Sequence, residues 1–473
     1  MVRNRRQERN VLLARKALGA VLALGMLSGA VSLATPALAA PAAPKISLSK
    51  GFQPLAVNLS KAIEAAKTRA DVVAARANVA SAQTALQQAR GTARTQAQAG
   101  LDTAIAALGT SLTAEKGQLD AAFAAATNAD DRYMAGNLAI PLGDLSKDSR
   151  LQRRGLEAML GSGKVAPADA PRLQYYLGQF AFDQKEYATA RTALQAAITG
   201  GYAENDIDGL LAEAYISDNQ AAQGLTVLRQ AIDRRNATAN KAPAGWYRRG
   251  LGVAYKAQMI DQAVAFAMGL AQNHPTKDNW AGAITVVREV GKFPPQETLD
   301  LMRLMGRTNS YAEERDYIEY IQAADARRLP GEVLKVIEAG TAAGKLRAND
   351  QFVAEARTIA TGRVAADRAS LAVLERDSRA PAASAATVSG TADAFLSYGD
   401  AAKAEALYNI ALAKPGADMP RLQTRLGIAQ LDQGNYAGAR ASFAKVTGAR
   451  QYIAQLWSIY AAQKAAPATA AAS

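Results

Sequence analysis

The sequence predicts an all-α protein, a helical hairpin followed by consecutive helix-turn-helix pairs, and three observations carry that prediction. From Leu55 onward apolar or small residues return in steps of three and four, the period that puts them on one face of a helix. The ten residues FDQKEYATAR at 182–191 come back at 431–440 as LDQGNYAGAR. Small residues also keep a fixed distance: Leu177-Gly178, Ala190, Leu194 and Ala197 are followed 34 residues later by Leu211-Ala212, Gly224, Leu228 and Ala231.

The N-terminal segment has the layout of a cleavable signal peptide. Arg3, Arg5, Arg6, Arg9, Arg15 and Lys16 stand against the single acid Glu8, an apolar run covers 17–33, and Pro36 precedes Ala37-Leu38-Ala39. Cleavage is expected between Ala39 and Ala40, with delivery to the periplasm; Gly19, Gly25, Gly29 and Pro36 make residues 1–39 a poor permanent span. Losing six bases and one acid leaves 49 Lys and Arg against 41 Asp and Glu, so the net charge falls from +13 to +8. That remainder is scattered along helices, which argues against nucleic acid as a partner and allows at most a peripheral attraction to anionic envelope surfaces. The chain has no cysteine, so disulfides, thiol nucleophiles and thiolate metal sites are excluded.

Residues 40–54 are rich in Pro and Ala and lack a hydrophobic period, so they are expected to form a flexible tether. An Ala-rich antiparallel hairpin is expected over 55–128. Leu55, Leu59, Ile63, Ala66, Ala70, Val73, Ala77 and Ala80 form one seam, Leu101, Ile105, Leu108, Leu112, Leu119 and Phe123 the other, and the chain turns at Gly91-Thr92. Such small seams bury little apolar area, so the hairpin should be thin. Repeats are expected over 129–276 and 379–464. Residues 277–378 keep helical amphipathicity without the small-residue code and are expected to be divergent helical repeats. The tail at 465–473 is of low complexity and expected to be disordered.

The repeats at 171–238 and 385–453, with a weaker copy at Leu251-Gly252, Ala263, Ala267 and Leu270, resemble the tetratricopeptide family. That resemblance implies an α-solenoid of 34-residue helix-turn-helix units, stacked because each pair alone would leave its apolar face in water. It also implies a C-terminal helix near 450–463 that closes the array, with Trp457 and Tyr460 against the last repeat. In such proteins the first helix of each repeat lines a groove. The matching positions are Arg172, Tyr175, Gln179, Phe182 and Asp183, then Asp206, Glu213, Ile216 and Ser217, then Arg421, Thr424, Ile428 and Asp432.

Chemistry is sparse. His274 is the one histidine, in Asn273-His274-Pro275 at a helix end, with no nucleophile or carboxylate arranged around it in sequence. Gly161-Ser162-Gly163-Lys164 and Ala343-Gly344-Lys345 resemble pieces of a phosphate loop, but Val165 and Leu346 replace the required Ser or Thr and no strand precedes them; they read as helix C-caps. Asp130-Asp131 and Glu313-Glu314 point apart on a helix. The sequence therefore implies no enzyme and no cofactor. It implies a scaffold binding a protein partner in the bacterial envelope, with a non-catalytic glycan or envelope-polymer binder as the alternative.

Overall fold

The computed structural model describes residues 46–466, which leaves the expected signal peptide, the first part of the expected tether and the end of the tail outside the described residues. Those residues form 22 α-helices and no strand. Helices follow one another in antiparallel pairs, a hairpin first and tetratricopeptide-like pairs after it. The chain divides into two compact units, Met1–Ala231 and Ile232–Ser473.

In the first unit α1 (Gln53–Ala66), α2 (Ala70–Gln88), α3 (Thr92–Ser111) and α4 (Thr113–Ala125) make the hairpin. Each arm is broken once, so α1 packs on α4 and α2 on α3. The turn falls at Gly91, whose φ of +56° is left-handed and favours glycine. Only Val72, Val79, Leu101 and Leu108 are buried along α2 and α3, so this part of the hairpin is as thin as its Ala-rich seams imply. The tether is shorter than expected. Phe52 is fully buried, and the amides of Ser47 and Ser49 donate to Asp130 at 3.0 Å and to Asp131 at 2.9 Å, so the chain is already fixed by residue 47. These contacts give the adjacent carboxylates Asp130 and Asp131 a structural task, each facing a different donor.

The unit continues with α5 (Ala129–Ser146), α6 (Ser149–Gly161), α7 (Ala170–Asp183), α8 (Tyr187–Thr199), α9 (Ile207–Ser217) and α10 (Ala221–Asn236), within which the boundary lies. Close crossings rest on small residues. A β-carbon at Gly178 would lie 2.6 Å from the Leu194 side chain, and one at Gly136 would lie 2.5 Å from the Gly155 carbonyl oxygen.

The second unit runs through α11 (Ala244–Lys256), α12 (Ile260–Asn273), α13 (Lys277–Gly291), α14 (Pro295–Arg307), α15 (Glu314–Ala324), α16 (Pro330–Ala342), the 28-residue α17 (Gln351–Ser378), α18 (Ala385–Tyr398), α19 (Ala401–Leu412), α20 (Met419–Asp432), α21 (Tyr436–Phe443) and α22 (Gln451–Ala465). The repeat frame near 250 needs correcting. Gly252 has open space around it, whereas a β-carbon at Gly250 would fall 2.4 Å from the Phe266 ring. With Gly250 as the crossing residue, the same 16-residue separation joins Gly178 to Leu194, Gly250 to Phe266 and Gly427 to Phe443. Gly163 (φ +70°) and Gly344 (φ +65°) end their helices in left-handed conformation, as C-caps do.

Candidate partner-binding face

The last helix of the second unit does more than close the final repeat. Trp457 lies parallel to Phe443 at 6.2 Å, but its indole also donates to the Asp300 carbonyl at 3.0 Å, and Tyr460 donates to the Arg307 carbonyl at 3.1 Å. α22 therefore packs on α12, α13 and α14 as well as on α20. Chain segments about 150 residues apart meet here, and the inner face of α20 is covered.

What covers it is a sealed network of charges. The Arg303 guanidinium forks onto both Glu332 oxygens at 2.7 Å, Arg425 donates to Asp300 at 3.1 Å and to Asp393 at 2.6 Å, and Arg450 joins Asp300 while Arg421 joins Asp393. Tyr320 and Tyr408 donate to Glu332 and Asp393, each at 2.7 Å. With Glu297, which faces Arg450 at 3.3 Å, four arginines meet four carboxylates. Burial pushes the Asp300, Glu332 and Asp393 carboxyls upward, but the guanidinium groups outweigh it and all three lie below the ordinary range, Asp393 at about 2. Every arginine in this network faces a carboxylate, so it can lock helices together but offers no site to a substrate.

The groove positions expected on α20 fall into this interior. Thr424 is fully buried and donates to the Pro420 carbonyl, Ile428 is buried in the core, Arg421 serves Asp393, and Asp432 pairs with Arg307 at 2.6 Å. Burial raises the Asp432 carboxyl even though Arg307 acts against it.

Of the corresponding positions in the first unit, Tyr175 and Gln179 are buried as Thr424 and Ile428 are, and Asp183 is exposed. Arg172 pairs with Asp169 at 2.9 Å at the start of α7. Tyr175 is buried and stacked on Tyr202 at 4.8 Å, with Tyr176 edge-on to it at 5.3 Å. Phe182 is half-buried against Tyr187 at 5.6 Å; Glu213 and Ile216 are half-buried; Asp183, Asp206 and Ser217 are exposed. Gln179 is nine-tenths buried, and its amide hydrogen-bonds to none of the described residues. The Asp206 carboxylate leans over the first turn of α9, where a β-carbon on Gly209 would lie 2.7 Å from it. Burial first, then Tyr202, Tyr176, Asp206 and Asp183, raise the Tyr175 hydroxyl; Tyr202 is pushed up to about 12, mainly by burial. Tyr202 was not among the residues expected from sequence, because it sits in the connection after Gly200-Gly201 and belongs to no helical face.

The other chemical candidates serve structure. His274 Nε2 meets the Ala242 carbonyl at 2.8 Å, and a carbonyl only accepts, so this nitrogen donates. Glu313 forms a capping box with Asp316 at the start of α15. Among the described residues no group of three His, Asp or Glu is arranged to hold a metal ion, and no helix is long and apolar enough to cross a membrane.

No family model matches the chain, and no curated protein matches it. Solved structures that match include a human IFIT1 dimer with PPP-AAAA, at 11% identity over 85% of this chain and 95% of that one, with a TM-score of 0.20. Another is Naa15/Naa10 bound to HypK-THB, at 13% identity over 85% and 70%, with a TM-score of 0.23. Scores this low carry no argument, so the fold description rests on the helix pairs of this chain alone.

Proposed function

We propose that this chain is a non-catalytic binding scaffold of the bacterial periplasm, whose partner lies along the inner face of α7 and α9. One observation carries this reading. Along α7 and α9 Asp183, Asp206 and Ser217 are exposed and Phe182, Glu213 and Ile216 are half-buried, although Tyr175 and Gln179 are buried as their counterparts Thr424 and Ile428 are in the second unit. A face built from aromatic rings and polar groups is a surface on which a segment of another protein can lie. The charge balance there favours this over an anionic envelope polymer, because residues 165–220 hold eight acids against three bases.

A photo-crosslinking residue at Phe182, on the inner face, and another at Thr192, on α8, test it in intact cells. A partner crosslinked from Phe182 and absent from Thr192 is the expected result. Equal crosslinking from both, or none, overturns the reading. Recovery of the chain in the osmotic-shock fraction, with an N-terminus at Ala40, tests the export expectation.

A further inference from the structure

We infer that the gap between α11 and α13 in the second unit takes an acidic peptide segment, one that sets an aliphatic side chain on the floor of the gap and its carboxylates against the bases around it. This goes beyond the scaffold reading above, because it stands or falls without the face of α7 and α9.

Shape supplies the first argument. α11 and α13 each pack on α12, and between them lies a cavity of about 360 Å³ with an apolar floor of Leu251, Ala267, Leu270 and Ala283. Two helix-interior glycines border it. Gly282 lines the cavity and Gly252 follows Leu251, and a β-carbon at either would meet nothing within 4 Å. No crossing within the chain calls for them, unlike Gly250 against Phe266, and glycine inside a helix is less stable than alanine. Bare backbone on both sides lets another main chain come close. One turn beyond Leu251 the Tyr255 ring is 63% exposed, which extends the same face into water.

Charge supplies the second. Residues 241–282 carry Lys241, Arg248, Arg249, Lys256 and Lys277 against Asp261 and Asp278. Arg249 is engaged within the chain and Asp261 accepts from Tyr452, so neither counts here. Lys241, Lys256 and Lys277 are exposed and pair with no carboxylate among the described residues. Arg248 donates to the Asn279 carboxamide oxygen at 3.3 Å, a neutral partner that holds it across the gap without cancelling its charge. A guanidinium has five donors, so most of them stay available to a ligand. Four bases thus stand against Asp278, which lines the cavity. In the buried network of the same unit each arginine has its carboxylate; here the missing carboxylates are those a ligand would bring.

The combination selects the class of ligand. A lipid surface cannot enter a gap between two helices, and an anionic polysaccharide has no aliphatic side chain for the floor. An acidic peptide meets both demands.

The test uses the protein with two fluorescein-labelled peptides of equal length, one of Gly, Ser, Leu and Glu and one of Gly, Ser, Leu and Lys, read by anisotropy. Phosphatidylglycerol vesicles and polygalacturonate serve as competitors. The acidic peptide is expected to bind, more weakly as salt rises, and to stay bound when either competitor is added. Gly252→Gln with Gly282→Gln fills the gap and should weaken binding about tenfold, with no loss of thermal stability by circular dichroism. Arg248→Gln should weaken it by up to about fivefold, the range of an exposed ion pair, and Asp278→Asn should tighten it by up to about the same factor. Equal binding of the lysine peptide, no binding of either, or acidic binding unchanged by the glycine substitutions overturns the inference. Displacement by the vesicles or the polysaccharide overturns it too, in favour of an envelope polymer. The Phe182 crosslink tests the scaffold reading separately, so the two can fail independently.

Discussion

At the scale of single residues, packing and charge decide the outcome by position rather than by residue type. Gly250 and Gly252 are two residues apart on one helix, yet a β-carbon at the first would collide with the Phe266 ring and at the second would meet nothing. Gly250→Ala is therefore expected to destabilise the second unit by about 1–3 kcal/mol through overpacking. Gly252→Ala should stabilise it by up to about 1 kcal/mol through helix propensity. Urea denaturation of the two variants side by side checks the signs. Arg425 is the sharper case, because it is fully buried and bridges Asp300 and Asp393. Replacing it with Met leaves two buried carboxylates short of their counter-charge, at an expected cost of about 3–5 kcal/mol. Sequence gave little warning of this: at the position corresponding to Arg425 the first unit has Tyr176, and Asp300 and Glu332 lie where the repeat code had faded.

Elements are fixed by what lies beyond their own period. The helical period of α1 starts near residue 53, but the chain is held from residue 47 because Asp131, fully buried at the start of α5, accepts from the Ser49 amide and from Thr127. Those hydrogen bonds outweigh burial and hold the Asp131 carboxyl below the usual range. Asp131→Ala should remove the anchor, and hydrogen exchange at the Ser49 amide should accelerate at least about tenfold, the equivalent of one net hydrogen bond. The hairpin turn at Gly91 was legible because glycine and a break in both seams coincide there. The breaks at 67–69 and at Leu112 were not, since Ala-rich seams carry equally well through a kink and a continuous helix. In the same way, α22 was legible as a closing helix from Trp457 and Tyr460, while the identity of its second surface, α12 to α14, depends on where the chain returns.

At the scale of the whole molecule each unit has its own electrostatic character. The second unit encloses carboxyls whose ionisation is favoured in the folded state, so their contribution is complete above the unfolded value near 3.8 and is lost as pH falls through the folded value, about 2 for Asp393. Asp393 alone then accounts for on the order of 2 kcal/mol. Circular dichroism of the protein is expected to show stability constant from pH 7 to about 5 and falling steeply between about 4 and 2. A profile that stays flat to pH 2 would mean the network contributes nothing to folding. In the first unit Asp183 and Asp206 stay exposed. By itself the sequence determined the fold class, the 34-residue step, the hairpin and the absence of thiol chemistry, because these follow from period, size and inventory along the chain. Only the tertiary structure decided which repeat faces are filled by the chain itself and which stay at the surface. That depends on side chains more than a hundred residues apart, such as Asp300 and Arg425, reaching hydrogen-bond distance, and no local pattern encodes such a meeting.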